Sequence, residues 1–160
     1  MGKKKILVVD DSALMRRVES DIINSDDRFQ VIDVATNGLE AFDYVTTGDK
    51  HYDDVVLDIN MPKMNGIEFL EALEKQKLKV RVIIVSTVAV AGAKDTIRAL
   101  ELGAFDYVTK PDSFVNAMRD SFKKCLLEKL SYATGAMEDS LSGIRKTETE
   151  EGKEPGKTAL

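Results

Sequence analysis

The sequence is poor in the residues that would make it a disulfide scaffold, a zinc protein or a membrane span. It holds one cysteine, Cys125, and one histidine, His51, in 160 residues. One thiol cannot form an internal disulfide, and there is no second soft ligand for zinc. Cys125 falls at helical spacing with Val115, Met118 and Phe122 and reads as a core thiol. His51, between Lys50 and Tyr52, reads as a solvated loop histidine. No stretch approaches the roughly 18 apolar residues a membrane span requires. The start, Met1 to Lys5 followed by Ile6–Val9, has the outline of a signal peptide, but the apolar run is far too short and Asp10-Asp11 ends it. The run reads as a buried strand, and the expected location is cytoplasmic. Positive charge is also in deficit, with 23 Lys and Arg against 28 Asp and Glu and a formal net charge of −5. A duplex-binding protein would usually show a basic face, so nucleic acid is not an expected partner.

What is present suits one folded domain. The composition is 43% hydrophobic and 32% charged, enough apolar material for a core and too much for a disordered chain. Short apolar runs recur at Ile6–Val9, Val31–Val34, Val55–Leu57, Val82–Val85 and Tyr107–Val108. The first and fourth are continuous aliphatic stretches, as in parallel strands buried on both faces. Helix-period segments lie between them. Leu14, Val18 and Ile22 follow a cap at Asp11 or Ser12. Leu39 and Phe42 follow Asn37-Gly38, and Ile67, Leu70 and Leu73 follow Asn65-Gly66. Ala93, Ile97 and Leu100 precede Gly103, and the Val115–Cys125 stripe runs on to about Leu130. Five strands alternating with five helices predict a three-layer, doubly wound (βα)5 α/β domain over residues 1–130. Residues 131–160 are rich in Gly, Ser, Thr, Glu and Lys without apolar period, and are expected to be a linker or disordered tail, with a frayed helical stretch near Ala136–Ile144.

Doubly wound sheets bind ligands outside the carboxyl ends of their strands. Asp10-Asp11 follow the first run, Asp58 the third, Ser86-Thr87 the fourth and Lys110-Pro111 the fifth. Each has an ordinary reading: Asp10 as a helix cap, Asp58 as a turn residue, Lys110 as a surface lysine, Tyr107 as core. Their joint placement gives three carboxylates, two hydroxyls and an ammonium at one sheet edge. Carboxylates so gathered repel unless a cation joins them or a pKa rises. Magnesium suits a site with few protein oxygens better than calcium does. A divalent ion beside a lysine is a setting for phosphoryl transfer.

Asp10-Asp11-Ser12, the run from Asp58 to Gly66 (Asp-Ile-Asn-Met-Pro-Lys-Met-Asn-Gly), Ser86 and Lys110-Pro111 resemble the receiver domain of two-component response regulators, over about Lys4 to Leu130. Asp10 to Arg17 and Arg98 to Pro111 are similar, more narrowly, to the receivers of the CheB family of chemotaxis protein-glutamate methylesterases. The resemblance implies a CheY-like, flavodoxin-like sheet in strand order 2-1-3-4-5. It also implies that Asp58 accepts a phosphoryl group from a CheA-like histidine kinase. Asp11 and Asp58 would bind Mg2+ directly, Asp10 through water, and Asn60 through its backbone carbonyl. Ser86 and Lys110 would hold the phosphoryl group, Tyr107 would change rotamer with Ser86, and the Lys110–Pro111 bond would be cis. Output would pass through the face of the fourth helix, fifth strand and fifth helix to an effector domain or target protein.

Some features depart from that pattern. Thr87 stands where single-domain receivers commonly have alanine, an expected control on access to the site. The segment Thr87 to Gly92 is unusually apolar, and reads either as a docking face or as the buried start of the fourth helix. No Gly-x-Ser-x-Gly nucleophile turn occurs, so the expected chain is a regulatory part without an effector domain. Such a receiver catalyses only its own phosphorylation and dephosphorylation. The alternatives are a stand-alone CheY-like receiver acting by protein binding, and a magnesium-dependent phosphatase with an aspartyl nucleophile. The phosphatase needs a general acid two residues after its nucleophile, where this chain has Asn60, and an amide cannot serve.

Overall fold

The alternation of apolar runs and amphipathic segments folds into ten elements. They are β1 (Lys4–Val9), α1 (Ala13–Asn24), β2 (Phe29–Ala35), α2 (Gly38–Thr46), β3 (Asp54–Asp58), α3 (Gly66–Lys75), β4 (Val82–Ser86), α4 (Val88–Glu101), β5 (Asp106–Thr109) and α5 (Asn116–Thr134). The computed structural model describes residues 2–111 and 116–136, without the side chains of 88–93 and 116–117. All strand pairs are parallel, in the order β2-β1-β3-β4-β5, as expected. Chain order reverses between β1 and β3, so the crevice at their carboxyl ends is where such a sheet presents a ligand site.

Strand alternation divides the apolar side chains between two cores. Ile6, Val8, Val56, Ile83, Val85 and Val108 face α1 and α5, joined by Ile22, Phe122, Leu126 and Leu130. Leu7, Val9, Val55, Leu57 and Ile84 face the other layer, where Phe69, Leu70, Leu73 and Ala99 pack. β3 and β4 are buried throughout, which explains their near-continuous apolar sequence. The helical periods mark the elements but not every buried position. Leu14, Leu39, Ile97 and Leu100 are exposed, while Met15 and Ala99 are buried.

Helix starts follow local chemistry. The Ser12 hydroxyl, not Asp11, caps α1 by accepting from the Met15 N–H at 3.2 Å. Asn37 caps α2, and Asn65 and Glu68 cap α3 reciprocally, each side chain accepting the other's backbone N–H at 2.9 Å. These side chains satisfy donors that no helical carbonyl can reach.

Two expectations change. The Lys110–Pro111 bond, expected cis, is trans, as are all peptide bonds among the described residues; trans is the intrinsically favoured form even before proline, by about 0.5–1 kcal/mol. α5 runs to Thr134, and Ala133 and Ala136 are buried in the core, so the folded unit passes the expected end near Leu130. Small residues at helical spacing carry this last turn, a pattern that a search for large apolar side chains passes over. The apolar segment after Thr87 forms the first turns of α4, although the expectation of a docking face there concerns side chains outside the described ones. The expected tail beyond Ala136 also lies outside the described residues. Among the described residues, no helix is long and apolar enough to cross a membrane.

Candidate functional site

β1 and β3 are neighbours in register, Val9 opposite Leu57, so the residues that follow or end them meet at one edge. Asp10, Asp11 and Asp58 each bring a carboxylate oxygen to within 4.8 Å of the others. Asp10 and Asp58 are buried and Asp11 is exposed, which leaves one open side. From the end of β5, the Lys110 ammonium lies 3.1 Å from Asp10 Oδ2 and 3.1 Å from Asp58 Oδ1. It donates a hydrogen bond to Asp58. It also forms an ion pair with the buried Asp10 Oδ2. Asp10 Oδ1 accepts from the Ser12 N–H at 2.9 Å. Lys110 is itself held by its backbone N–H, which donates to the Ser86 carbonyl at 2.9 Å.

Burial pushes the Asp58 carboxyl up to about 6, with the Asp10 charge adding to the rise and Lys110 opposing it. Burial alone would lower the Lys110 ammonium, but Asp10 and Asp58 hold it above its ordinary value. One cation against three carboxylates leaves negative charge in a partly dry site. The gathered carboxylates are an all-oxygen donor set of the kind a hard divalent cation takes.

The other expected residues lie around this cluster. Ser86 ends β4 and is buried. Thr87 occupies the cap position of α4 but makes no capping hydrogen bond. Asn60 is exposed in the loop after β3. Tyr107 is 44% exposed and borders a groove between β5 and α5 with Met118, Phe122 and Cys125. It is therefore not core, and it stands turned outward.

Several contributors escaped sequence reasoning. Glu19 on α1 is 1% exposed, and its Oε2 has no hydrogen-bond partner. Burial first, and then the charges of Asp10 and Asp58, raise its carboxyl well above the ordinary value against the pull of Lys110. It reads in sequence as one more charge on an amphipathic helix. Arg16 donates to the Asp10 carbonyl at 2.8 Å and ties α1 to the β1 end. Gly66 lies so close to β3 that an added Cβ would stand 2.6 Å from the Asp58 carbonyl oxygen and 2.9 Å from Ile59 Cα. Its N–H donates to the Ile59 carbonyl at 2.8 Å. Asn65-Gly66 was legible as a helix start, but its contact with the Asp58 backbone was not.

Comparison with known proteins agrees with this geometry. The family model described as "Response regulator receiver domain" matches residues 6–119. A protein-glutamate methylesterase/protein-glutamine glutaminase of Treponema denticola is 40% identical over 148 residues, covering 91% of this chain and 38% of that protein. The chain thus spans less than two-fifths of that relative's length. The response regulator domain of Thermotoga maritima CheB superposes with a TM-score of 0.71 at 40% identity, covering 83% of this chain and 97% of that one. A chain in the complex of the P1 domain of CheA3 with CheY6 from R. sphaeroides gives a TM-score of 0.63 at 33% identity, covering 82% and 99%. With the carboxylates of β1 and β3 gathered around the β5 lysine, the chain belongs to the response regulator receiver domain family and is the receiver of a CheB-type response regulator.

Proposed function

We propose that Asp58 is the phosphoacceptor, and that Asp10, Asp11, Asp58 and the Asn60 carbonyl hold Mg2+. The observation that carries this reading is the Lys110 ammonium at 3.1 Å from both Asp10 and Asp58, at the end of a cluster of three carboxylates whose oxygens lie within 4.8 Å of one another. When bound, the ion supplies positive charge that offsets the carboxylates and the incoming phosphoryl oxygens. Asp58 attacks the donor's phosphorus through a carboxylate oxygen, forming an O–P bond as the P–N bond to the kinase histidine breaks and the imidazole leaves with the donor. Lys110 pairs with the phosphoryl oxygens, and the buried Ser86 hydroxyl donates to one of them. Asp10 and Asp11 remain unmodified and hold the site's geometry.

An acyl phosphate carries about two negative charges at neutral pH, where the free carboxylate carries one. Drawing Ser86 toward it empties space beneath the start of α4, and Tyr107 turns inward from its outward position. The α4–β5–α5 face then changes shape and alters its grip on an effector domain or target. A shift from mostly off to mostly on takes about 5 kcal/mol of differential stabilisation. The donor is a histidine kinase of the CheA type, consistent with the relative whose structure is a complex with the P1 domain of CheA3. The parent protein is a cytoplasmic methylesterase regulated by this domain.

Incubation with Mg2+ and acetyl phosphate, read by intact mass, tests the assignment. One labile phosphoryl addition is expected, lost in Asp58→Asn and on chelation of the metal. Steady turnover of generic phosphate esters would instead indicate a phosphatase.

A further inference from the structure

At the edge of the sheet opposite Asp58, a cleft of about 830 Å3 lies between α3 and the segments that lead into β4 and β5. Its floor includes Leu73, Leu78 and Leu102, and its rim carries Lys77, Lys79 and Arg81. Lys75 stands just before them, so four cations fall in seven residues. All four are exposed, and none makes an ion pair among the described residues. Lys77 holds a left-handed backbone, φ 58°, and Arg81 lies 5.3 Å over the ring of the half-exposed Phe105. One wall residue, Glu74, is acidic. In a protein with a net charge of −5, this is a concentrated positive surface with an apolar base, far from the phosphoacceptor.

The chain itself carries a matching segment. Glu148, Glu150, Glu151 and Glu154 place four carboxylates in seven residues, interrupted by one cation, Lys153. Helices of a parallel sheet run back against the strands, so α5 delivers the chain to the strand-start edge, where this cleft opens. Crossing a few strands and one sheet-to-helix layer takes roughly 20–25 Å. The eleven residues from Met137 to Thr147 reach about 36 Å when extended. A tethered segment also meets the cleft at high effective concentration.

We propose that the acidic segment Glu148–Glu154 docks in cis on the Lys77–Lys79–Arg81 cleft. The contact is electrostatic and weakened by salt, and it lays the chain that follows α5 away from the β5–α5 groove. This assignment is independent of the phosphoacceptor chemistry.

Amide spectra of the full 15N-labelled chain test it against the variant Glu148→Gln/Glu150→Gln/Glu151→Gln/Glu154→Gln, which removes four negative charges and keeps side-chain size. The expected result is shift changes concentrated at Lys77–Arg81 and Gly103–Phe105. Addition of 0.5 M salt to the parent, or Lys77→Ala/Lys79→Ala, should reproduce them. Unchanged amides in the cleft, or changes centred on the β5–α5 groove, would overturn the proposal. Changes that fade on tenfold dilution would assign the segment to a second copy and overturn docking in cis.

Discussion

Glu19 and Asp58 show how little a residue's letter says about its charge in place. Asp58 was legible because it ends an apolar run and opens a motif. Glu19 sits in a helix where solvated and buried glutamates share the same periodicity, and only the packing reveals it. Its buried Oε2 without a partner is a cost, about 1–3 kcal/mol for a polar group so placed. The folded chain keeps on Glu19 a proton that the unfolded chain releases above the ordinary value of 4.5. Glu19 therefore favours the folded state most below that value, and stability falls as pH rises from there toward its raised folded pKa. Asp54, also buried with a raised pKa, tilts the curve the same way, so the difference between proteins is the useful quantity. Glu19→Leu is expected to raise stability at pH 7 by about 1–3 kcal/mol and to flatten the decline above pH 4.5 in urea melts run across pH. A variant that lost stability at pH 7 would mean that the carboxyl is satisfied by a contact worth more than its burial costs. Asp58, pushed up to about 6, has the same sign, and its proposed role as a metal ligand gives a second test. Below that value a proton occupies the oxygen that a metal or phosphorus needs. Calorimetric Mg2+ affinity should be flat above pH 6 and fall up to about tenfold per unit below it; equal affinities at pH 5 and 7 would remove Asp58 from the ligand set.

Elements were read from the sequence by their starts more reliably than by their faces. Asn37 and Asn65 named two helix starts because their side chains accept the N–H groups that the first turn exposes. The exposed Leu14, Leu39 and Ile97 show the weakness of period alone: an amphipathic stripe wider than the helix's contact leaves large side chains at its margin. The loop from β3 to α3 carries the largest burden for the site, since it must leave Asp58 and return within eight residues. Gly66 makes that return possible. Gly66→Ala places a carbon 2.6 Å from the Asp58 carbonyl, against backbone that cannot swing aside. It is expected to destabilise by about 2–4 kcal/mol and to slow acetyl phosphate labelling of Asp58 through displacement of the loop. Asn65→Ala removes only the capping box and should cost about 1 kcal/mol, leaving labelling near the parent rate. The pair distinguishes loss of a cap from displacement of the Asp58 backbone. Labelling slowed equally in both would mean that the helix start, not the close approach, positions Asp58.

At the scale of the whole molecule, the alternation of runs predicted the layers, and strand-end chemistry predicted the edge at which Asp10, Asp11, Asp58 and Lys110 gather. The strand order came from family resemblance, because no local pattern in β1 or β3 encodes which strands become neighbours. The end of the domain was read early for a related reason. Beyond Leu130 the sequence offers Ser131, Tyr132, Ala133, Thr134, Gly135 and Ala136, a composition that suits a linker, yet Ser131, Ala133 and Ala136 are buried. The Ser131 and Thr134 hydroxyls donate to carbonyls one turn back, at 2.8 Å and 2.7 Å, so polar residues continue the helix while small ones pack. α5 covers the face that holds Phe29, Leu126 and Leu130, and its last turn closes the strand-start end of that core. A chain stopped after Leu130 would expose part of these side chains and fray the preceding turn, whose carbonyls lose their partners. The expected loss is about 2–3 kcal/mol, a fall in Tm on the order of 5–15 °C for a domain of this size, relative to a chain stopped after Ala136. Phosphorylation at Asp58 should survive where the shortened domain remains folded, since the last turn lies at the opposite edge. Equal melting of the two chains would show that the final turn packs without contributing, and would return the domain's end to Leu130.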